Sequence, residues 1–298
     1  MISYNFKQDL DDYLSEEITN LGFGSALASY HKQSGNVFEK TNFLLRIKRR
    51  IPKIKVRNIY FPFPFTIPDE VRPGFQQLAK AIEAGADLRP FLGRNNAQRM
   101  KYNDPLLDDW GIHHFHLGEG FNSSGLVTRS AHIAFAIVRQ DALFFLDILN
   151  HSNDSGIEDV WTKKHLLSIA NKHWPNILDN RVKNLTGINL TDKEHAALRS
   201  NNTNSTIELP NGVTFYCPGG GRMSNGESAL DYIFCMQLMN HINYKEEFAK
   251  SNEVAIRESL RASENDNVML RAQFSICPIQ GFDITIYDSV SKKEIQFY

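Results

Sequence analysis

Cysteine is scarce in this 298-residue chain: Cys217, Cys235 and Cys277 stand alone, with no CxxC pair. An odd, widely spaced set excludes a disulfide framework and a cysteine zinc site. Long apolar runs are missing too. The longest, 131–138 (interrupted by His132) and 142–146, fall far short of the ~20 residues that a membrane-crossing helix needs. Neither sign of charge dominates, since 33 Lys and Arg face 34 Asp and Glu for a net charge of −1. No whole-molecule field therefore favours nucleic acid or an anionic membrane. The start, Met1-Ile-Ser-Tyr-Asn-Phe-Lys, lacks a basic-then-apolar leader, which predicts a cytoplasmic protein with no membrane partner. There is no internal repeat. What is present, 42% apolar and 22% charged residues, suits a folded chain with a sizeable core.

The periodicity opens as a helix. Phe6, Leu10, Leu14, Ile18 and Leu21 recur at spacings of three or four, with Gly22 as a stop. From Lys32 to Arg57 nine Lys or Arg stand against one acid, Glu39, so neutrality overall hides a basic segment. Arg46, Lys48, Arg49, Arg50, Lys53, Lys55 and Arg57, with Arg129 further on, are candidate phosphate contacts for RNA. The same run also suits a solvated helix face with Phe43, Leu44, Leu45, Ile47, Ile51 and Ile54 packed inward. Three prolines in Tyr60–Pro68 exclude a helix or a central strand there. A second helix is expected from Pro73 to about Glu83, with Gly85 ending it.

From about Trp110 the period changes to two. Ile112–Leu117, Ala131–Val138 and Ala142–Leu149 read as strands, and Trp161–Lys172 as a helix ending before Pro175. Thr191-Asp-Lys-Glu194 has capping-box spacing, and polar Ser200–Thr206 marks an internal boundary. Thr206–Cys217 reads as a hairpin turning at Asn211-Gly212, followed by a helix of about 20 residues from near Glu227. Val268–Tyr298 should close the chain as a β-meander. The expectation is an α+β protein, an antiparallel sheet with packed helices. Its three regions would be a helical and irregular basic part (1–105), a histidine-rich sheet with a helix (106–198) and a C-terminal α+β part (199–298).

Seven of the ten histidines lie between His113 and His173. Histidine titrates near neutral pH and ligates metals, so which of them share a face matters. A hairpin over Ala131–Leu149 with loop Gln140-Asp141 pairs Ile137 with Phe144, Phe135 with Leu146 and Ile133 with Ile148 on an apolar face. Its other face carries Ala134, Ala136 and His132, with Asp147 and His151 diagonal to His132. A third strand would send Phe115 and Leu117 to the core and add His114 and His116 to the polar face. His113 then reads as a core histidine. Asp147, inside Leu143-Phe-Phe-Leu-Asp-Ile-Leu149, needs a cationic or hydrogen-bonded partner if buried.

Two chemistries suit a face bearing His114, His116, His132, Asp147 and His151. Histidines can act as general base and acid on RNA without metal or cofactor, with Arg129, Lys163 or Lys164 holding the charged phosphorane. Alternatively His114, His116 and Asp147 could hold a divalent metal, as in a hydrolase or oxygenase. A third reading makes the histidines structural in a non-enzymatic defence or toxin–antitoxin interaction protein.

The segment Arg129-Ser-Ala-His-Ile-Ala-Phe-Ala-Ile-Val-Arg-Gln-Asp-Ala-Leu-Phe-Phe-Leu-Asp-Ile-Leu-Asn-His151 resembles the terminal hairpin of RelE/ParE-like ribonuclease toxins. In that family an arginine precedes a strand, a short acidic turn follows, and the returning strand ends in a histidine or basic residue. Arg129, Gln140-Asp141 and His151 occupy those positions. The resemblance implies a toxin-like RNA endonuclease, with RNA as substrate and an antitoxin as protein partner.

Cys217-Pro-Gly-Gly-Gly-Arg-Met-Ser-Asn-Gly-Glu-Ser228 has P-loop glycine spacing, but Glu227 stands where the phosphate-binding lysine belongs. A strand-to-helix turn with Ser224 or Asn225 as N-cap fits better, Arg222 being the residue that would favour an anion there.

Overall fold

The computed structural model describes residues 2–31, 36–150, 163–182 and 187–296. It is of the α+β class, with helices interspersed among mixed and antiparallel sheets. No described helix is long and apolar enough to cross a membrane. The chain forms two compact units, Met1–Lys48 with Asp231–Tyr298, and Arg49–Leu230. These do not follow the three divisions 1–105, 106–198 and 199–298, and the boundary expected at Ser200–Thr206 lies inside the second unit. The reason is a pairing across the whole sequence: Ser3 and Tyr4 run parallel to Met269 and Leu270, so both chain ends build one unit.

The first unit begins with β1 (Ser3–Tyr4) and α1 (Phe6–Ile18). Asn5 caps α1 by accepting from the Gln8 backbone N–H at 3.0 Å. Phe6, Leu10, Leu14 and Ile18, four residues apart, form its fully buried stripe. Gly22 does not end the helical path. It takes φ 87° within a wide turn, Thr19–Phe23, and α2 (Gly24–His31) continues beyond it. In α3 (Val37–Arg50), Phe43, Leu44, Leu45 and Ile47 are buried, as is Ile51 just past it, whereas Ile54 is exposed.

The second unit carries β2 (Asn58–Tyr60), α4 (Arg72–Glu83), α5 (Arg94–Gln98), α6 (Pro105–Trp110) and β3 (His113–His116). Next come β4 (His132–Val138), β5 (Ala142–Asn150), α7 (His165–His173) and β6 (Arg181–Val182). It ends with α8 (Asp192–Ser200), β7 (Thr206–Glu208) and β8 (Thr214–Tyr216). Gly85, after α4, takes φ +65°, and a Cβ there would meet the Val56 backbone N at 2.6 Å, so only glycine suits that stop. The capping box of α8 forms in full on Thr191 and Glu194. The long helix begins at Ala229, so Ser224 and Asn225 lie inside the preceding loop and do not cap it.

The chain then returns to the first unit through α9 (Ala229–Ser251), α10 (Glu253–Leu260), β9 (Met269–Cys277), β10 (Gly281–Asp288) and β11 (Glu294–Ile295). Its sheet order is β1-β9-β10-β11. The meander expected from Val268 is this sheet.

The larger sheet of the second unit has the order β2-β5-β4-β3, and helices cover both of its faces. On one, Phe75 of α4 meets Phe145 at a centroid distance of 4.9 Å beside buried Phe115, Ala134 and Ala136. On the other, Ile133, Phe135, Ile137 and Leu146 pack with Trp110 of α6 and with Leu166, Leu167 and Ala170 of α7. This double cover explains why β4 is apolar at nearly every position instead of alternating.

Candidate active site

The three histidine-rich strands share one sheet, but not in the register the sequence predicts. Val138, Ile137 and Ala136 oppose Leu143, Phe144 and Phe145. Between Phe135 and Ala136 the pairing shifts by one, so Phe135 opposes Asp147 and His132 opposes Asn150. Leu146 is the extra residue of this bulge. Because side chains alternate along a strand, one added residue moves those beyond it to the opposite face. Asp147 thereby leaves the face of His132 and joins that of Phe135 and α7.

The third strand is shifted as well. His114 opposes Phe135 and His116 opposes Ile133, while His113 and Phe115 oppose Ala136 and Ala134. His114 and His116 therefore share the core face, and Phe115 takes the side assigned to them. Their rings lie 6.2 Å apart and both residues are buried. His114 Nδ1 stands 3.6 Å from Asp104 Oδ2, a carboxylate also bonded by Asn96 Nδ2 at 2.7 Å. His132 sits apart, its Nδ1 3.4 Å from Glu70 Oε1. The single open face carrying His114, His116, His132 and Asp147 does not form, since Phe135 fills the row between His114 and Asp147. His151 lies outside the described residues. Among the described residues no cluster of three or more His, Cys, Asp or Glu could hold a metal, and the His114/His116/Asp147 triad is not assembled.

Asp147 does obtain the partner its surroundings demand, but that partner is His165. Its Oδ2 lies 3.0 Å from His165 Nε2, and its Oδ1 accepts from the Ile148 backbone N–H at 2.8 Å. The pair lies in a cleft of about 340 Å³ between residues 62–66 on one side and Leu146, Asp147, His165, Lys172 and His173 on the other. His165 stands at the start of α7. Ser168, Ile169 and Lys172 follow it at intervals of three, four and seven, and so line the same helical stripe. The opposite wall is held by alternate aromatic anchors: Phe61 stacks on Phe145 at 5.6 Å, and Phe65 lies 5.8 Å from Phe75. Phe63, between them, is 85% exposed. The prolines that exclude regular structure here shape this wall.

The basic run does not form an open phosphate surface. Arg46, Arg50 and Arg57 are buried. Arg50 donates to the Asn95, Arg99 and Met100 carbonyls, and Arg57 to those of Arg139 and Lys55. Lys48 pairs with Glu17, Arg49 with Asp108 and Lys55 with Asp141. Lys53 and Arg129 are exposed. Desolvation drives this outcome: a cation inside a fold needs acceptors, and this chain supplies them from carbonyls and acids. The glycine-rich loop likewise uses its cation internally, Arg222 donating to the Arg199 and Gly226 carbonyls.

Burial pushes the His113 imidazole down to about 4, and its Nε2 lies 3.0 Å from the Arg49 carbonyl. It is neutral and structural. His195 is pushed down to about 4 by burial, with Lys164 and Arg199 adding to the effect. Burial raises the Cys217 thiol to about 11, which removes it as a nucleophile.

Compared with known protein families, with curated proteins and with solved structures, the chain matches none. The dyad of Asp147 and His165, with Lys172, His173 and Phe63, was not singled out from sequence. The helical stripe His165–Ser168–Ile169–Lys172 was legible in the spacing. Its meeting with Asp147 was not, because that depends on the bulge at Leu146.

Proposed function

We propose that the protein is a metal-independent RNA endonuclease whose acid/base group is His165, oriented by Asp147. The observation that carries this reading is the 3.0 Å bond between Asp147 and His165 inside a cleft that also presents a lysine and a second histidine. A carboxylate on Nε2–H fixes the tautomer and leaves the Nδ1 lone pair to take a proton.

RNA brings its own nucleophile. His165 takes the proton of a ribose 2′-hydroxyl, the 2′-oxygen bonds to the adjacent phosphorus, and the P–O5′ bond breaks. Water entering the open cleft protonates the departing 5′-oxygen. The products are a 2′,3′-cyclic phosphate and a 5′-hydroxyl. Lys172, about 10.5 Å along the helix axis from His165, leans back towards the helix start and neutralises charge on the phosphorane. A toxin-like use of this activity, held in check by an antitoxin-type protein partner, belongs to the same proposal.

The test is incubation of the whole protein with end-labelled single-stranded RNA in the presence of a chelator. The expected result is cleavage to 2′,3′-cyclic phosphate ends, with the all-deoxy strand left intact. Cleavage abolished by chelator, or no cleavage at all, would overturn the proposal.

A further inference from the structure

We infer that the cleft takes an unpaired strand and that Phe63 is the platform on which one of its bases stacks. This inference rests on the reading of the cleft as an RNA site. Phe63 is 85% exposed at the lip of that cleft, between Pro62 and Pro64, and its neighbours two positions away on either side are anchored. Phe61 stacks parallel to Phe145, with 3° between the ring planes, and Phe65 packs against Phe75 and Phe145. A ring held out by an anchored, proline-stiffened segment loses little freedom when a flat partner covers it, so stacking on it costs little order.

The chemistry opposite the ring selects the partner. Lys172 is exposed and, with His165 and His173, lines the facing wall. An aromatic platform facing cationic and imidazole groups matches the alternation of base and phosphate along a single strand. At about 340 Å³ the cleft lies at the small end of ligand sites, ~300–1,000 Å³. It suits one or two nucleotide units. A duplex cannot use the ring, because its bases already stack on one another and its outer surface offers only sugar edges and phosphate.

The inference is tested with a fluorescent 2′-O-methyl RNA 12-mer, which has no free 2′-hydroxyl and cannot be cut by the proposed route. Binding is read by anisotropy at fixed salt. The expected result is binding of the single strand, weakened about tenfold by Phe63→Ala and retained by Phe63→Trp, with the duplex of the same sequence bound at least about tenfold more weakly. Equal binding by Phe63→Ala, equal binding of duplex, or no binding would overturn it. Because the probe is uncleavable, ring-dependent binding without cleavage of ordinary RNA would remove the nuclease proposal and leave the strand-binding inference standing. Cleavage without dependence on Phe63 would do the reverse.

Discussion

Asp147 opposes Phe135 across β5 and β4, one position out of step with the adjacent pair of Ala136 and Phe145. That single shift takes the carboxylate off the face of His132 and delivers it to His165 of α7 at 3.0 Å. Both partners are partly exposed, with 33% and 42% of their side chains accessible, so the pair contributes little to stability. Asp147→Asn should change the unfolding free energy by less than about 1 kcal/mol. It should nonetheless slow RNA cleavage by about 10²-fold or more, since the amide cannot hold the imidazole in the same tautomer. Urea denaturation beside a rate measurement checks both halves, and a variant that lost activity only by unfolding would refute the assigned role.

Acid should destabilise the second unit through His113 and His195. Both stand near 4 in the fold, chiefly by burial, against about 6.5 in an unfolded chain. Between those values the unfolded chain binds a proton at each site that the folded chain refuses. Their contribution is therefore intact above about pH 6.5 and is lost as pH falls towards 4. Each site adds a slope of about 1.4 kcal/mol per pH unit within that window. Denaturation midpoints at pH 7, 5.5 and 4.5 should show the fall, and His113→Gln should flatten the slope by about one proton. An unchanged slope in that variant would contradict the buried neutral assignment.

Lys40 is fully buried, its ammonium shared between the Asp11 carboxylate and Ser15 Oγ. Asp11→Asn alone should cost about 3–5 kcal/mol by leaving the charge without its counter-ion. Lys40→Met together with Asp11→Asn should recover most of that loss. Strict additivity of the two single changes, measured as a double-mutant cycle, would show that the pair is not coupled.

The three thiols should separate under alkylation of the native protein. Cys235 is fully buried, and Cys217 is both buried and held at about 11, whereas Cys277 is half-buried. Iodoacetamide near pH 8 should modify Cys277 first, with the other two reacting only after unfolding. Fast labelling of Cys217 would mean that its loop opens readily.

Much of the fold was legible because it is local. The capping box at Thr191, the stop at Gly85, the hairpin turn at Gly212 and the four-residue stripe of α1 all follow from neighbouring residues. The two-unit division was not, because it rests on Ser3 meeting Met269. The basic run misled for a physical reason: charge density along a sequence does not say whether cations face water or carbonyls, and Arg50 and Arg57 face carbonyls. At the site, the demand of Asp147 for a partner was readable from its apolar neighbours. Its identity was not, since a constant register points to His132 and one bulged residue, Leu146, changes the face.

The cleft and the histidine-rich strands make opposite claims about which imidazole matters, and one comparison separates them. The measurement is the rate of single-stranded RNA cleavage, with chelator present, by the wild type, His165→Ala and His132→Ala, each confirmed folded by its denaturation midpoint. The expected result is a loss of at least about 10²-fold in His165→Ala and a rate within about twofold of wild type in His132→Ala. Wild-type cleavage by His165→Ala, or a large loss in His132→Ala, would contradict the assignment of the cleft as the catalytic centre.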